Sequence, residues 1–185
     1  MAMPHPARWT REQVLDLPDD GNRYELFDGT LVVTPSPAAP HQGAIALLLR
    51  QLVSYLELHP IATVLTSPAD LRLDGRQVAQ PDIFVLPGRA LPRTWEAAPL
   101  PVLAIEVLSP STARYDRAFK RRYYQRAGVP EFWVVDPDAR LVERWRPGDE
   151  RPELLDGDIT WQPAADLPPL VVDLQAMFAE LWGDH

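Results

Sequence analysis

Asp82, Glu106 and Lys120 carry the side-chain types that handle phosphate chemistry, and their surroundings set them apart from ordinary surface charges. Glu106 lies inside PVLAIEVLS, a run otherwise apolar on both pleat faces, which is the pattern of a central strand covered on both sides. A carboxylate there is costly if ionised and alone, so it must be protonated, paired or bound to a cation. Lys120 is the one lysine of the chain; seventeen arginines complete its 18 basic residues. Asp82 follows Pro81 in VAQPDIFVLP, a strand candidate whose proline cannot donate to a ladder and so interrupts it.

Spacing gives Glu106 and Lys120 a common height if the helix after Glu106 lies against its strand. From Glu106 to Ser109 the strand climbs roughly 10 Å, at about 3.3 Å per residue. A helix beginning near Thr112 and packing back on the sheet descends about 12 Å by Lys120, at about 1.5 Å per residue. An ordinary buried ion pair accounts for Glu106 and Lys120 but leaves Asp82 over. Two carboxylates and a lysine in one pocket make a hard-cation site, since Mg²⁺ is held by one or two carboxylates together with water and phosphate oxygens. That set suits phosphodiester hydrolysis: the metal acidifies water and polarises the phosphoryl group, while Lys120 orients the water or offsets developing charge.

The elements that must hold these residues are readable in part. Thr10-Arg11-Glu12-Gln13 has capping-box form and opens a short helix over 10–17. RYELFDGTLVV alternates around Asp28-Gly29 and predicts a tight hairpin. Ile45, Leu48, Leu49, Leu52 and Leu56 recur at helical spacing, predicting a long helix over 40–58. IATVLTS, ADLRLDG and VAQPDIFVLP are strand candidates, and PVLAIEVLS belongs mid-sheet. A helix runs from Ser109-Pro110-Ser111-Thr112 to Ala127 and stops at Gly128. FWVVD and RLVERWRP form a hairpin around Pro137-Asp138, and a last helix spans 173–182 between Asp173 and Gly183. Strands with helices set early, centrally and late indicate an α/β or α+β layer structure with a mixed sheet.

Composition narrows the function classes. At 185 residues one domain is expected, and 46% hydrophobic with 24% charged residues excludes disordered and fibrous chains. The 21 prolines cluster in connectors such as TPSPAAP and LPPL. No signal-peptide pattern opens the chain and no apolar run reaches the ~20 residues that span a bilayer, so a cytoplasmic protein is expected. Net charge −8 argues against coating nucleic acid by charge alone. Cysteine is absent and the four histidines lack metal spacing, which excludes disulfides and disfavours zinc.

YELFDG, the SPAAPHQ segment, QPDIFVL, IEVLSPST, the DRAFKRRYY helix and GVPEFWVVDP, in this order, resemble the Uma2 family of restriction-endonuclease-like proteins, within the PD-(D/E)XK nuclease superfamily. The resemblance covers about residues 22–146. It implies a restriction-endonuclease-like mixed sheet core flanked by helices, and Mg²⁺-dependent (or Mn²⁺-dependent) cleavage of nucleic acid, DNA foremost, often by a homodimer. One departure stands out: the lysine two places after the glutamate is here Leu108, and the Uma2-like pattern moves it to the following helix, where Lys120 stands.

By the same resemblance Glu25, in YELFDG, is a third carboxylate for the metal; the alternative is a solvated hairpin residue. His41 is a phosphate or water contact, or simply a polar residue at a helix start. Tyr124, four residues after Lys120, can line the pocket, whereas Trp133 and Trp145 read as core. Arg114, Arg117, Arg121 and Arg122 form the one basic stretch of an acidic chain, suited either to phosphates or to a solvated helix face. Three readings compete: a metal-dependent nuclease with Asp82, Glu106, Glu25 and Lys120 at its centre; a nucleic-acid or protein-binding module without turnover, motivated by Leu108; and a structural subunit.

Overall fold

The computed structural model describes residues 8–34, 38–73, 78–109 and 120–184. The Thr10 hydroxyl accepts from the Gln13 amide at 3.3 Å and the Gln13 side chain accepts from the Thr10 amide at 2.9 Å. This reciprocal pair starts helix α1 (Arg11–Leu15), shorter than the expected span because Asp16 already serves as its C-cap. Asp28 and Gly29 take positive φ of 49° and 80°, turning β1 (Arg23–Phe27) into its antiparallel partner β2 (Thr30–Thr34). Helix α2 (Ala39–Leu58) follows, buried along His41, Ala44, Leu48, Leu52, Tyr55 and Leu56. That stripe is why the helix lies flat on a sheet.

The sheet has six strands in the order β3 (Ala62–Thr66), β4 (Ile83–Pro87), β5 (Leu103–Val107), β6 (Phe132–Asp136), β7 (Leu141–Trp145) and β8 (Glu153–Leu155). β5 and β6 are parallel and the other neighbours antiparallel, which makes the sheet mixed. A parallel pair needs a crossover, and helix α3 (Arg121–Ala127) lies on it, stopped by Gly128 at φ 81°. Hairpin β9 (Asp158–Trp161) with β10 (Leu170–Asp173) leads into α4 (Leu174–Trp182), whose N-cap Asp173 accepts from the Ala176 amide at 2.9 Å.

β5 is buried at every position, and its alternation decides what each face does. Leu103, Ile105 and Val107 join Ile83, Val85, Trp133 and Val135 in a core with Leu48 and Leu52 of α2, Met177 and Phe178 of α4, and Trp161 and Val172 of the β9–β10 hairpin. Ala104 packs on the opposite face with Phe132, Val134 and Trp145, beneath Phe27 of β1 and Tyr123 and Tyr124 of α3. Tyr124 stacks on Phe132 with ring centroids 4.5 Å apart. Glu106 shares this second face, under the hairpin and α3.

One expectation needs correction. ADLRLDG is no strand of the sheet: among the described residues it contributes the isolated bridge of Leu71 with Ala79. Pro81 stays outside the ladder, since β4 begins at Ile83, beyond the interruption. β8, β9 and β10 carried no expectation at all; they are three- and four-residue strands whose pattern is too short to register. The helix start expected at Thr112 lies outside the described residues; α3 falls within the expected span.

Candidate active site

The hairpin β1–β2 puts Arg23 and Glu25 on one face by simple alternation, and the β4–β5 register sets Ile83 opposite Ile105, so one step further Asp82 stands level with Glu106. Lys120 immediately precedes α3 in helical geometry, φ −56° and ψ −42°. These placements converge. Lys120 Nζ lies 2.8 Å from Glu25 Oε2 and 3.1 Å from Glu106 Oε1. The Tyr124 hydroxyl donates to the same Glu106 oxygen at 3.1 Å, and the Gln80 amide donates to Glu25 Oε1 at 2.9 Å. Glu25 is therefore buried within the cluster, which excludes the solvated alternative.

Asp82 is the hub of the other half. Its Oδ1 accepts from Arg23 Nη1 at 2.7 Å, and its Oδ2 accepts from the Val107 amide at 2.8 Å and lies 3.2 Å from His41 Nε2. His41 comes from the first turn of α2 and is buried rather than solvated. Its Nδ1 is enclosed, with no hydrogen-bond partner among the described residues. Three carboxylates thus face an ammonium, a guanidinium and an imidazole.

Titration behaviour follows from this packing. Burial raises the Asp82 carboxyl, but the His41 hydrogen bond, the Arg23 guanidinium and Lys120 outweigh it and hold it below the usual carboxylate range. Burial likewise opposes the Arg23 charge, yet Asp82, then Glu106 and Glu25, keep its pKa above the ordinary value. Burial first, and Glu106 and Glu25 next, push the Tyr124 phenol well above its ordinary value.

The oxygen donors suit a hard divalent ion in type, and Glu25 with Glu106 already converge on a cation, the Lys120 ammonium. Two carboxylates are what Mg²⁺ asks of a protein when phosphate and water supply the rest. Among the described residues no three His, Asp or Glu side chains are arranged to share one ion. The Glu25–Glu106 pair fits such an ion if Lys120 shifts, and the Asp82 oxygens beside it accept from Arg23 and the Val107 amide.

Of the other candidates, Arg114 and Arg117 lie outside the described residues. Arg121 is spent on packing, with its guanidinium carbon 4.3 Å from the centre of the Trp145 ring, and Arg122 is exposed. Sequence reasoning missed Arg23 and Gln80. Arg23 was detectable, because a residue two places before Glu25 in a strand shares its face; Gln80 acts through its backbone and leaves no side-chain signal.

The chain has relatives. The model of the family Uma2, described as "Putative restriction endonuclease", matches residues 11–175. Among solved structures, "a putative nuclease belonging to DUF820" from Anabaena variabilis is similar in fold, with TM-score 0.75 and 23% identity over 93% of this chain and 98% of that one. No curated protein matches. The family match spans most of the chain and contains every residue of the cluster, so this protein belongs to the Uma2 family.

Proposed function

We propose that the protein hydrolyses phosphodiester bonds of nucleic acid, DNA in the first place, with Mg²⁺ or Mn²⁺ as cofactor. The observation that carries this reading is the convergence of Glu25 and Glu106 on a buried cation beside Asp82, in a chain whose family and fold are nuclease-like. Charged groups this deeply buried are expensive and concentrate where chemistry needs them. Glu106 and Glu25 would hold the ion, with Asp82 beside them. When bound, the ion supplies acidified water and charge stabilisation at the phosphoryl group. Lys120 offsets negative charge on the phosphate oxygens, and the Tyr124 hydroxyl fixes the Glu106 carboxylate. Asp82, held by Arg23, His41 and the Val107 amide, keeps the strand ends in register.

The test is cleavage of labelled DNA and RNA with Mg²⁺, Mn²⁺ or EDTA, using wild type, Glu106→Gln and Glu25→Gln, alongside calorimetric titration of each ion. Ion-dependent product that disappears in both folded variants supports the reading. Equal cutting by the folded variants, or neither ion binding nor product in the wild type, overturns it. Leu108 in place of the usual lysine, and an ammonium seated between the two glutamates, favour a second reading as a binding module without turnover. That reading expects nucleic-acid binding undiminished by EDTA and no product.

A further inference from the structure

Within the cluster, Arg23 is the member that reaches solvent. Its side chain is 19% exposed, against 2% or less for Asp82, Glu106, Glu25 and Lys120 and 7% for His41. Its anchorage is one-sided. Nη1 donates to Asp82 Oδ1 at 2.7 Å, to the Gln80 carbonyl at 3.2 Å and to Ser67 Oγ at 3.4 Å. Among the described residues neither Nε nor Nη2 has a partner, and neither is among the enclosed donors left unsatisfied. The guanidinium is thus pinned at one corner, with its Nε–Nη2 edge turned outward.

We infer that this edge is the phosphate-recognition group of the site, taking two oxygens of a phosphodiester while Nη1 stays on Asp82. Two parallel N–H donors match a phosphate in a way a lysine cannot reproduce. A side chain already immobilised at Nη1 loses little freedom on binding. The positive charge that this requires is permanent in an arginine side chain. The arrangement couples the surface to the buried carboxylates: an anion at the mouth pulls on the same guanidinium that holds Asp82. The choice of a nucleic-acid phosphate rests on the nuclease reading, whereas the oxyanion chemistry does not.

The experiment measures binding of a fluorescent oligonucleotide by wild type, Arg23→Lys and Arg23→Gln in EDTA across a salt series, with fold checked by circular dichroism. The inference expects affinity to fall about tenfold or more in both variants, the scale of a lost charge-assisted contact. It also expects the slope of log affinity against log salt to fall by about one in Arg23→Gln. Unchanged affinity and slope in the folded variants overturn it. Since loss of Arg23 can unfold the chain through Asp82, the wild-type Nε–H resonance of Arg23 is also followed by NMR during titration with inorganic phosphate and with the oligonucleotide. A shift with both supports the inference, and a shift with neither overturns it. A shift with inorganic phosphate alone upholds the oxyanion site and sinks the nuclease reading.

Discussion

Lys120 carries its ammonium from the start of α3 to within 3.1 Å of Glu106 in the middle of the sheet, and both side chains are sealed from water. Glu25 closes on the same nitrogen at 2.8 Å from the β1–β2 hairpin. Three segments distant in sequence are thereby joined by charge in a place where desolvation is most expensive.

Substituting Lys120→Met removes the cation shared by two buried carboxylates at nearly constant side-chain volume. Breaking a buried pair from one side costs about 3–5 kcal/mol, so the urea midpoint should fall steeply. In Lys120→Met/Glu106→Gln the loss should be smaller than the sum of the single losses, because the second change removes one of the stranded charges. Additive losses would show that the two groups are not coupled.

Acid should weaken the protein partly through Asp82. Its folded pKa is lowered, so the stability it contributes is complete above the unfolded carboxylate value of about 3.9 and is lost as pH falls toward the folded value. Asp82→Asn should be less stable at neutral pH, and its midpoint should fall less than that of wild type between about pH 5 and pH 3. Thermal melts over that range check the sign; parallel curves would remove Asp82 from the acid limb.

Tyr124→Phe deletes the hydroxyl that donates to Glu106 and leaves the ring stacked on Phe132. A hydrogen bond to a charged group contributes about 1.5–3 kcal/mol, which should appear in denaturant unfolding. Because burial and the nearby carboxylates raise this phenol, one of the five tyrosines should resist alkaline ionisation in an ultraviolet titration until the fold is lost. Five tyrosines ionising together in the folded protein would contradict the buried contact.

Arg121 and Arg122, adjacent in sequence, should behave differently. Arg121→Gln loses the contact over Trp145 and should cost about 0.5–1 kcal/mol of stability with little effect on oligonucleotide affinity. Arg122→Gln, at an exposed position, should leave stability unchanged and lower affinity with a shallower salt slope. Equilibrium unfolding and anisotropy titration of the two variants separate these effects, and equal behaviour would show that α3 does not present one face outward.

The features legible in the sequence were local. The Thr10 capping box, the Asp28-Gly29 turn, the α2 stripe, the Asp173 cap and the doubly covered β5 each depend on residues within a few positions of one another, and such patterns act before the chain is folded. The spacing of Glu106 and Lys120 along strand and helix also brings Lys120 to the height of Glu106. Long-range packing, absent from any local pattern, buries Glu25, turns His41 onto Asp82 and brings Arg23 to join them. A hairpin or a helix start has one face for solvent or for core, and which face meets a carboxylate is settled by what packs over it from elsewhere in the chain. The short strands β8 to β10 escaped notice for the same reason: three or four residues carry too little alternation to specify a strand until a neighbouring ladder supplies their hydrogen bonds.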